Sequence, residues 1–195
     1  MLKPTYRKLK HDLMSGIWPI GARLEALRLA DEFGVSMTPV RDSLNRLTGE
    51  RLVDLRPGEG FSVARLGERA LRDMLEFTAA LLIFAIHART AAASAEPIGQ
   101  DGDIAERTAT LFLAIADGSE NSLLCETISS LNDRLHAVRR LDQVLFGDCE
   151  AELGRIYAAH LAGGDTAQLC SLLLSYHERR RHAVPLYIEQ LCRGT

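Results

Sequence analysis

No apolar run in this chain reaches the roughly 20 residues that a membrane-spanning helix needs. The opening Met1-Leu2-Lys3-Pro4 has no signal-peptide core. A membrane partner is therefore not expected, and the cytoplasm is the expected compartment. The four cysteines, Cys125, Cys149, Cys170 and Cys192, show no Cys-x-x-Cys spacing, which argues against a zinc knuckle or a redox dithiol. Each is expected as a buried, reduced thiol on a helix among apolar neighbours. There is no phosphate-binding loop, no nucleophile elbow and no evident carboxylate pair, and the histidines are scattered. Nothing points to an enzyme. Strong net charge is also missing, at −3 overall, but the distribution is uneven. Residues 1–65 hold 11 Lys/Arg against 8 Asp/Glu, whereas residues 66–195 hold 12 against 18. A mildly basic head on an acidic body suits DNA at one end and another task at the other.

The stretch that carries most information is Gly34-Val35-Ser36-Met37-Thr38-Pro39-Val40-Arg41-Asp42-Ser43-Leu44-Asn45-Arg46-Leu47. It reads as the turn and second helix of a helix-turn-helix. Ser36 is suited to cap the helix by accepting from an orphan N–H, and Pro39 falls in the first turn, where a missing N–H costs little. Val40, Leu44 and Leu47 make one buried stripe. Thr38, Arg41, Asp42, Asn45 and Arg46 then face outward, with the groups that grip phosphates and read base edges. Upstream, Tyr6, Leu9, Leu13 and Met14 give a helical apolar face ended by Gly16. A second short helix is expected from Glu25 to Phe33, with Gly34 at its left-handed end. Downstream, Leu52–Leu55 and Phe61–Val63 alternate like two strands around Arg56-Pro57-Gly58-Glu59-Gly60. Three helices and a hairpin make a winged helix-turn-helix.

Residues 5–65 resemble the GntR-type winged helix. The match runs through Leu29-Ala30, Gly34-Val35-Ser36, Thr38-Pro39-Val40-Arg41, Leu44, Leu47, Leu52-Val53 and Gly60, preceded by Ser15-Gly16-Ile17-Trp18-Pro19-Ile20-Gly21-Ala22-Arg23-Leu24. The resemblance implies DNA contacts from Arg28, Ser36, Thr38, Arg41, Asn45, Arg46 and Gly60. Two departures stand out: Leu27 and Met37 occupy positions where the family usually carries arginine. Glu59 places an acid in the wing. Weaker binding, or an operator unlike the family's usual one, is expected.

The body reads as helical throughout. A first long helix is expected over about 68–93 and a loop over 94–103. Further helices are expected over about 104–117, 121–146, 149–162 and 165–192, the last interrupted at Pro185. Long helices with short connections indicate an antiparallel bundle. Arg179-Arg180-Arg181-His182 is expected to be solvated and to complement a helix dipole. Arg134 and Arg139 are expected on a solvated face.

This half resembles the all-helical ligand-binding (FCD-type) domain of the FadR subfamily, through Asn121-Ser122-Leu123-Leu124, through Ile156–Asp165 and through His177. One family helix has no counterpart, which implies a shortened bundle. Many members hold a divalent metal with an Asp and three His. Here the aligned positions are Thr108, Phe112 and Leu153, and only His177 is retained. Neither a metal nor any other cofactor is expected, although His160 and His182 are the residues that could rebuild a site. Thr78 and Leu82 stand where the family often has an arginine and a glutamate. Thr78, Leu82, Thr108, Phe112, Leu153 and His177 thus imply a largely apolar effector pocket.

The expectation is a mainly α protein with two parts. A winged helix-turn-helix over residues 1–66 precedes an effector-binding and dimerisation bundle over 67–195. It would be a homodimeric transcription regulator, by the resemblance a repressor, that binds a palindromic double-stranded operator and responds to a small apolar effector. The alternative is a regulator without a ligand, whose helical part is filled by side chains and serves only dimerisation.

Overall fold

The computed structural model describes residues 2–89, 102–163 and 165–193, so most of the loop expected over 94–103 lies outside the described residues. The chain divides into two units, Met1–Leu66 with Gln190–Thr195, and Gly67–Glu189. No described helix is long and apolar enough to cross a membrane.

The first unit runs α1 (Leu2–Met14), β1 (Arg23–Leu24), α2 (Ala26–Phe33), α3 (Met37–Gly49), β2 (Val53–Arg56) and β3 (Gly60–Val63). The strands form one antiparallel sheet in the order β1-β3-β2, with Arg23 opposite Ser62 and Val53 opposite Val63. β1 is an addition to the two-stranded hairpin read from the sequence. Two residues carry no period, and only pairing with β3 defines them as a strand. Gly34 ends α2 with φ of 64°, and its N–H returns to the Ala30 and Asp31 carbonyls. That left-handed conformation suits a residue without a Cβ. The turn into α3 is thereby fixed. Leu9, Leu29, Val40, Leu44, Leu47 and Val53 are buried in one core that α1, α2, α3 and the sheet share.

The second unit runs α4 (Glu68–His87), α5 (Ile104–Asp117), α6 (Ser122–Arg140), α7 (Asp142–Leu145), α8 (Cys149–Ala162), α9 (Thr166–His182) and α10 (Val184–Arg193), whose residues up to Glu189 belong here. Side chains start several of these helices. Asp103 and Glu106 form a capping box on α5, while Asn121 and Asp165 accept from the backbone N–H groups of Leu124 and Gln168. The helix expected over 121–146 is interrupted at Leu141 into α6 and α7. The break expected at Pro185 falls at Ala183, which leaves Pro185 in the first turn of α10 where it needs no donor. α4 packs on α5, α6 and α9, and α5 on α6 and α8. The cysteine expectation needs correction. Cys149 is buried, but Cys125 and Cys170 are half-buried and Cys192 is exposed.

Candidate nucleic-acid interface and helical-core cluster

α3 separates its faces as its sequence period requires. Val40, Leu44 and Leu47 have no exposed surface, while Thr38, Arg41, Asp42 and Asn45 are exposed. Arg41 and Arg28 are exposed and make no ion pair among the described residues. Their guanidinium groups are available to an external anion. Ser36 has extended backbone at the helix start, but its side chain makes no cap hydrogen bond, contrary to expectation. Further along α3, the Ser43 hydroxyl donates to the Pro39 carbonyl at 2.6 Å, a bond within the helix that satisfies no first-turn N–H. Exposed Ser36 keeps its hydroxyl free for another acceptor or donor.

Arg46 differs from its neighbours. Its Nε donates to Glu50 at 3.1 Å, and its guanidinium lies 3.9 Å from the Tyr6 ring centroid. Glu50 also accepts from the Tyr6 hydroxyl at 2.8 Å and from Lys10 at 3.1 Å. Burial pushes the Glu50 carboxyl up, but the hydrogen bonds from Tyr6, Lys10 and Arg46 prevail and hold it below its ordinary range. This cluster ties the end of α3 to α1, so Arg46 has a positioning task beside any contact with DNA. The expected departures are both at the surface, Leu27 and Met37 being exposed. In the wing, Gly60 takes φ of 82° and Glu59 is paired with Arg56 at 3.6 Å. The acid expected to repel phosphate is thus partly neutralised by a neighbour.

In the helical unit, Thr78, Leu82, Thr108, Phe112, Leu153 and His177 are all buried. The hydroxyls of Thr78 and Thr108 donate within their own helices, to Met74 and Ile104 carbonyls at 2.7 Å each. Phe112 packs edge-on against Tyr176 and stacks on His177, both with centroids 5.4 Å apart. Arg139 is buried rather than solvated. Its guanidinium lies 4.9 Å from the Phe112 centroid and donates to the Asn132 side-chain oxygen at 2.7 Å. His177 Nδ1 donates to the Leu173 carbonyl at 2.8 Å. That bond leaves Nε2 as an acceptor, and neither it nor the buried Tyr176 hydroxyl has a partner among the described residues. Burial, reinforced by Arg139 and Arg180, pulls the His177 imidazole down to about 3. It is neutral at physiological pH.

His160 is buried and His182 exposed. Among the described residues no group of three or more His, Cys, Asp or Glu is placed to hold a metal ion.

The cationic run lies in the last turn of α9 with His182 exposed, as expected, but departs from its expectation at Arg180. Arg180 is only 2% exposed. It donates to Asp142 at 2.8 Å, to Glu152 at 2.7 Å and to the Tyr176 carbonyl at 3.0 Å. Asp142 further accepts from the Tyr187 hydroxyl. Arg179 lies over Phe146 and pairs with Asp148 and Glu152. One buried network therefore joins α7, α8, α9 and α10. Burial penalises the Arg180 charge, but Tyr176, Asp142 and Glu152 outweigh it and raise its affinity for the proton.

The profile of the bacterial regulatory proteins of the gntR family matches residues 3–63. The helix-turn-helix transcriptional regulator McbR of Escherichia coli is 39% identical over 66 residues, which cover 34% of this chain and 30% of McbR. The Nta operon transcriptional regulator of Aminobacter aminovorans is 27% identical over 137 residues, covering 63% and 65% of the two chains. These alignments span less than two thirds of either relative. Solved structures extend the likeness in fold to nearly the whole chain. A GntR regulator from Rhodococcus superposes with a TM-score of 0.81 at 18% identity, covering 94% of this chain and 96% of its own. The McbR structure superposes with a TM-score of 0.70 at 23% identity, covering 95% and 97%. Residues 3–63 are thus a winged helix-turn-helix domain of the gntR type, and the all-helical second unit is consistent with the FadR subfamily.

Proposed function

We propose that this protein is a DNA-binding transcription regulator that acts as a homodimeric repressor on a palindromic operator. The observation that carries the reading is the exposed face of α3. Thr38, Arg41 and Asn45 stand clear of the core, and Arg41, with Arg28 on α2, has no ion pair to give up on binding phosphate or a base edge. A recognition helix presents such groups to the major groove, and a two-fold dimer sets two of them on the halves of a palindrome. Selection of sequences from a random duplex library by the full chain tests it. The expected result is enrichment of one two-fold-symmetric sequence, and absence of enrichment would refute it.

The helical unit is the proposed effector site. Thr78, Leu82, Thr108, Phe112, Leu153 and His177 supply an apolar surround, and the unpartnered His177 Nε2 and Tyr176 hydroxyl supply two polar handles. Ligand sites combine these features. A mainly apolar molecule with a hydrogen-bonding group would suit them, and it must bind the DNA-competent and incompetent states unequally to regulate anything. The stacking of Phe112 on His177 and Tyr176 favours a second reading, in which side chains fill this core and the unit only dimerises. A metabolite panel screened by thermal shift separates the two. A true ligand at 100 times its Kd stabilises by about 2.7 kcal/mol, and a panel without any shift favours the filled core.

A further inference from the structure

Helix α3 opens on an apolar side chain. Met37 is its first residue and remains 39% exposed, although Val40, Leu44 and Leu47 on the same helix are fully buried. The core of the unit already takes Phe33 and Val35 from the turn just before it. Met37 is left among polar groups instead, since Ser36, Thr38, Arg41 and Asn45 are exposed around it. Met37, Arg41 and Asn45 stand four residues apart, so a thioether, a guanidinium and an amide follow one another up one side of the helix. No acidic side chain stands in the first turn to repel phosphate.

The N-terminal residues of a recognition helix are the ones that reach base edges in the major groove. Those edges present hydrogen-bonding atoms and one apolar group, the C5-methyl of thymine. A thioether donates no hydrogen bond and accepts only weakly. Any base amino group, carbonyl or ring nitrogen that it covers therefore loses water without a replacement, which costs free energy. A methyl group that it covers loses only unfavourable contact with water. The unbranched, adaptable methionine side chain is suited to such a contact.

We infer that Met37 sets specificity by packing on the C5-methyl group of a thymine in each half of the operator, beside the groups that Arg41 and Asn45 engage. The inference rests on the regulator reading above and adds the chemical identity of one base to it. Burial of one methyl group is worth about 4-fold in affinity, so loss of the methyl from both halves costs roughly 15-fold.

Uracil in place of thymine removes this methyl group and leaves base pairing and every hydrogen-bonding atom intact. The full chain first selects its sequence from a random duplex library, and each thymine of that sequence is then replaced singly by uracil. In anisotropy titrations of wild type, one thymine position in each half is expected to lose about 4-fold in affinity on replacement. Met37→Ala should bind the thymine sequence more weakly by a similar factor and bind the thymine and uracil forms equally, with melting unchanged. Met37→Leu, still apolar, should keep the preference for thymine, and Arg41→Ala should keep it at lower overall affinity. A cytosine placed at the same position should bind wild type better when it is 5-methylated, because the methyl group is what is read. That gain should vanish in Met37→Ala. A selected sequence without a methyl-sensitive thymine, or a uracil effect that persists undiminished in Met37→Ala, would overturn the inference and leave the regulator reading standing. If the chain selects no sequence at all, both fall.

Discussion

Replacing Arg180 by Met removes the cation from the middle of the helical unit and leaves its two carboxylates behind. Asp142 is fully buried and Glu152 is 7% exposed, so neither can recover hydration without opening the bundle. The Tyr187 hydroxyl still donates to Asp142, but it supplies no charge. Breaking a buried pair from one side costs about 3–5 kcal/mol when the remaining charge is uncompensated; Arg179 still reaches Glu152 at 3.6 Å, so the uncompensated charge is chiefly that of Asp142. For a chain of 195 residues each kcal/mol lowers Tm by about 2–4 °C, so the expected fall is roughly 6–20 °C. Thermal melting by circular dichroism measures it. Removing all three charges together, as Arg180→Met, Asp142→Leu and Glu152→Leu, should recover much of the loss, since the cost lies in the unpaired charge rather than in the missing pair. A single variant that melts within about 2 °C of the parent would refute the reasoning. So would a triple variant less stable than the single one.

Further outcomes follow from the same geometry. Arg41→Ala should weaken operator binding by about 1–3 kcal/mol in a gel-shift or anisotropy titration, with melting unchanged. His177 should make the helical unit acid-sensitive. Its folded-state proton affinity is depressed to about 3 against an ordinary 6.5, so the unfolded chain binds the extra proton between those values. Its contribution is therefore complete above about pH 6.5 and falls by up to ~1.4 kcal/mol per pH unit below it. His177→Leu should flatten the urea-unfolding free energy against pH by up to that slope, and an unchanged slope would contradict the burial. Gly34→Ala should destabilise the first unit by about 1–2 kcal/mol, since φ of 64° is unfavourable for a residue with a Cβ although nothing crowds the site. Gly34→Asn should cost less.

The parts of this molecule legible in its sequence are those that local chemistry determines. The buried face of α3 follows from the spacing of Val40, Leu44 and Leu47, and the turn before it from Gly34. The bounds of α5 and α8 were readable from flanking Asp and Gly residues, because caps and breakers act within a turn. What could not be read depends on distant partners. Arg180 belongs to an outwardly solvated-looking cationic run, and the residues that bury it lie 38 and 28 positions away. Arg139 lies over the ring of Phe112 on α5, a neighbour that the pattern of α6 does not contain, and donates to Asn132 two turns earlier on its own helix. Arg46 sits on the expected outward face, but Glu50 and Tyr6 engage it through a contact between α1 and the end of α3. β1 is too short for any periodicity.

The central claim is that the exposed face of α3 reads DNA. Its most direct test is selection from a random duplex library by the full chain, followed by binding of the recovered sequence by wild type and Arg41→Ala. The account predicts a two-fold-symmetric sequence, salt-dependent affinity for it, and a loss of about 1–3 kcal/mol in the variant. No enriched sequence, or equal affinity of both proteins for the one recovered, would contradict it.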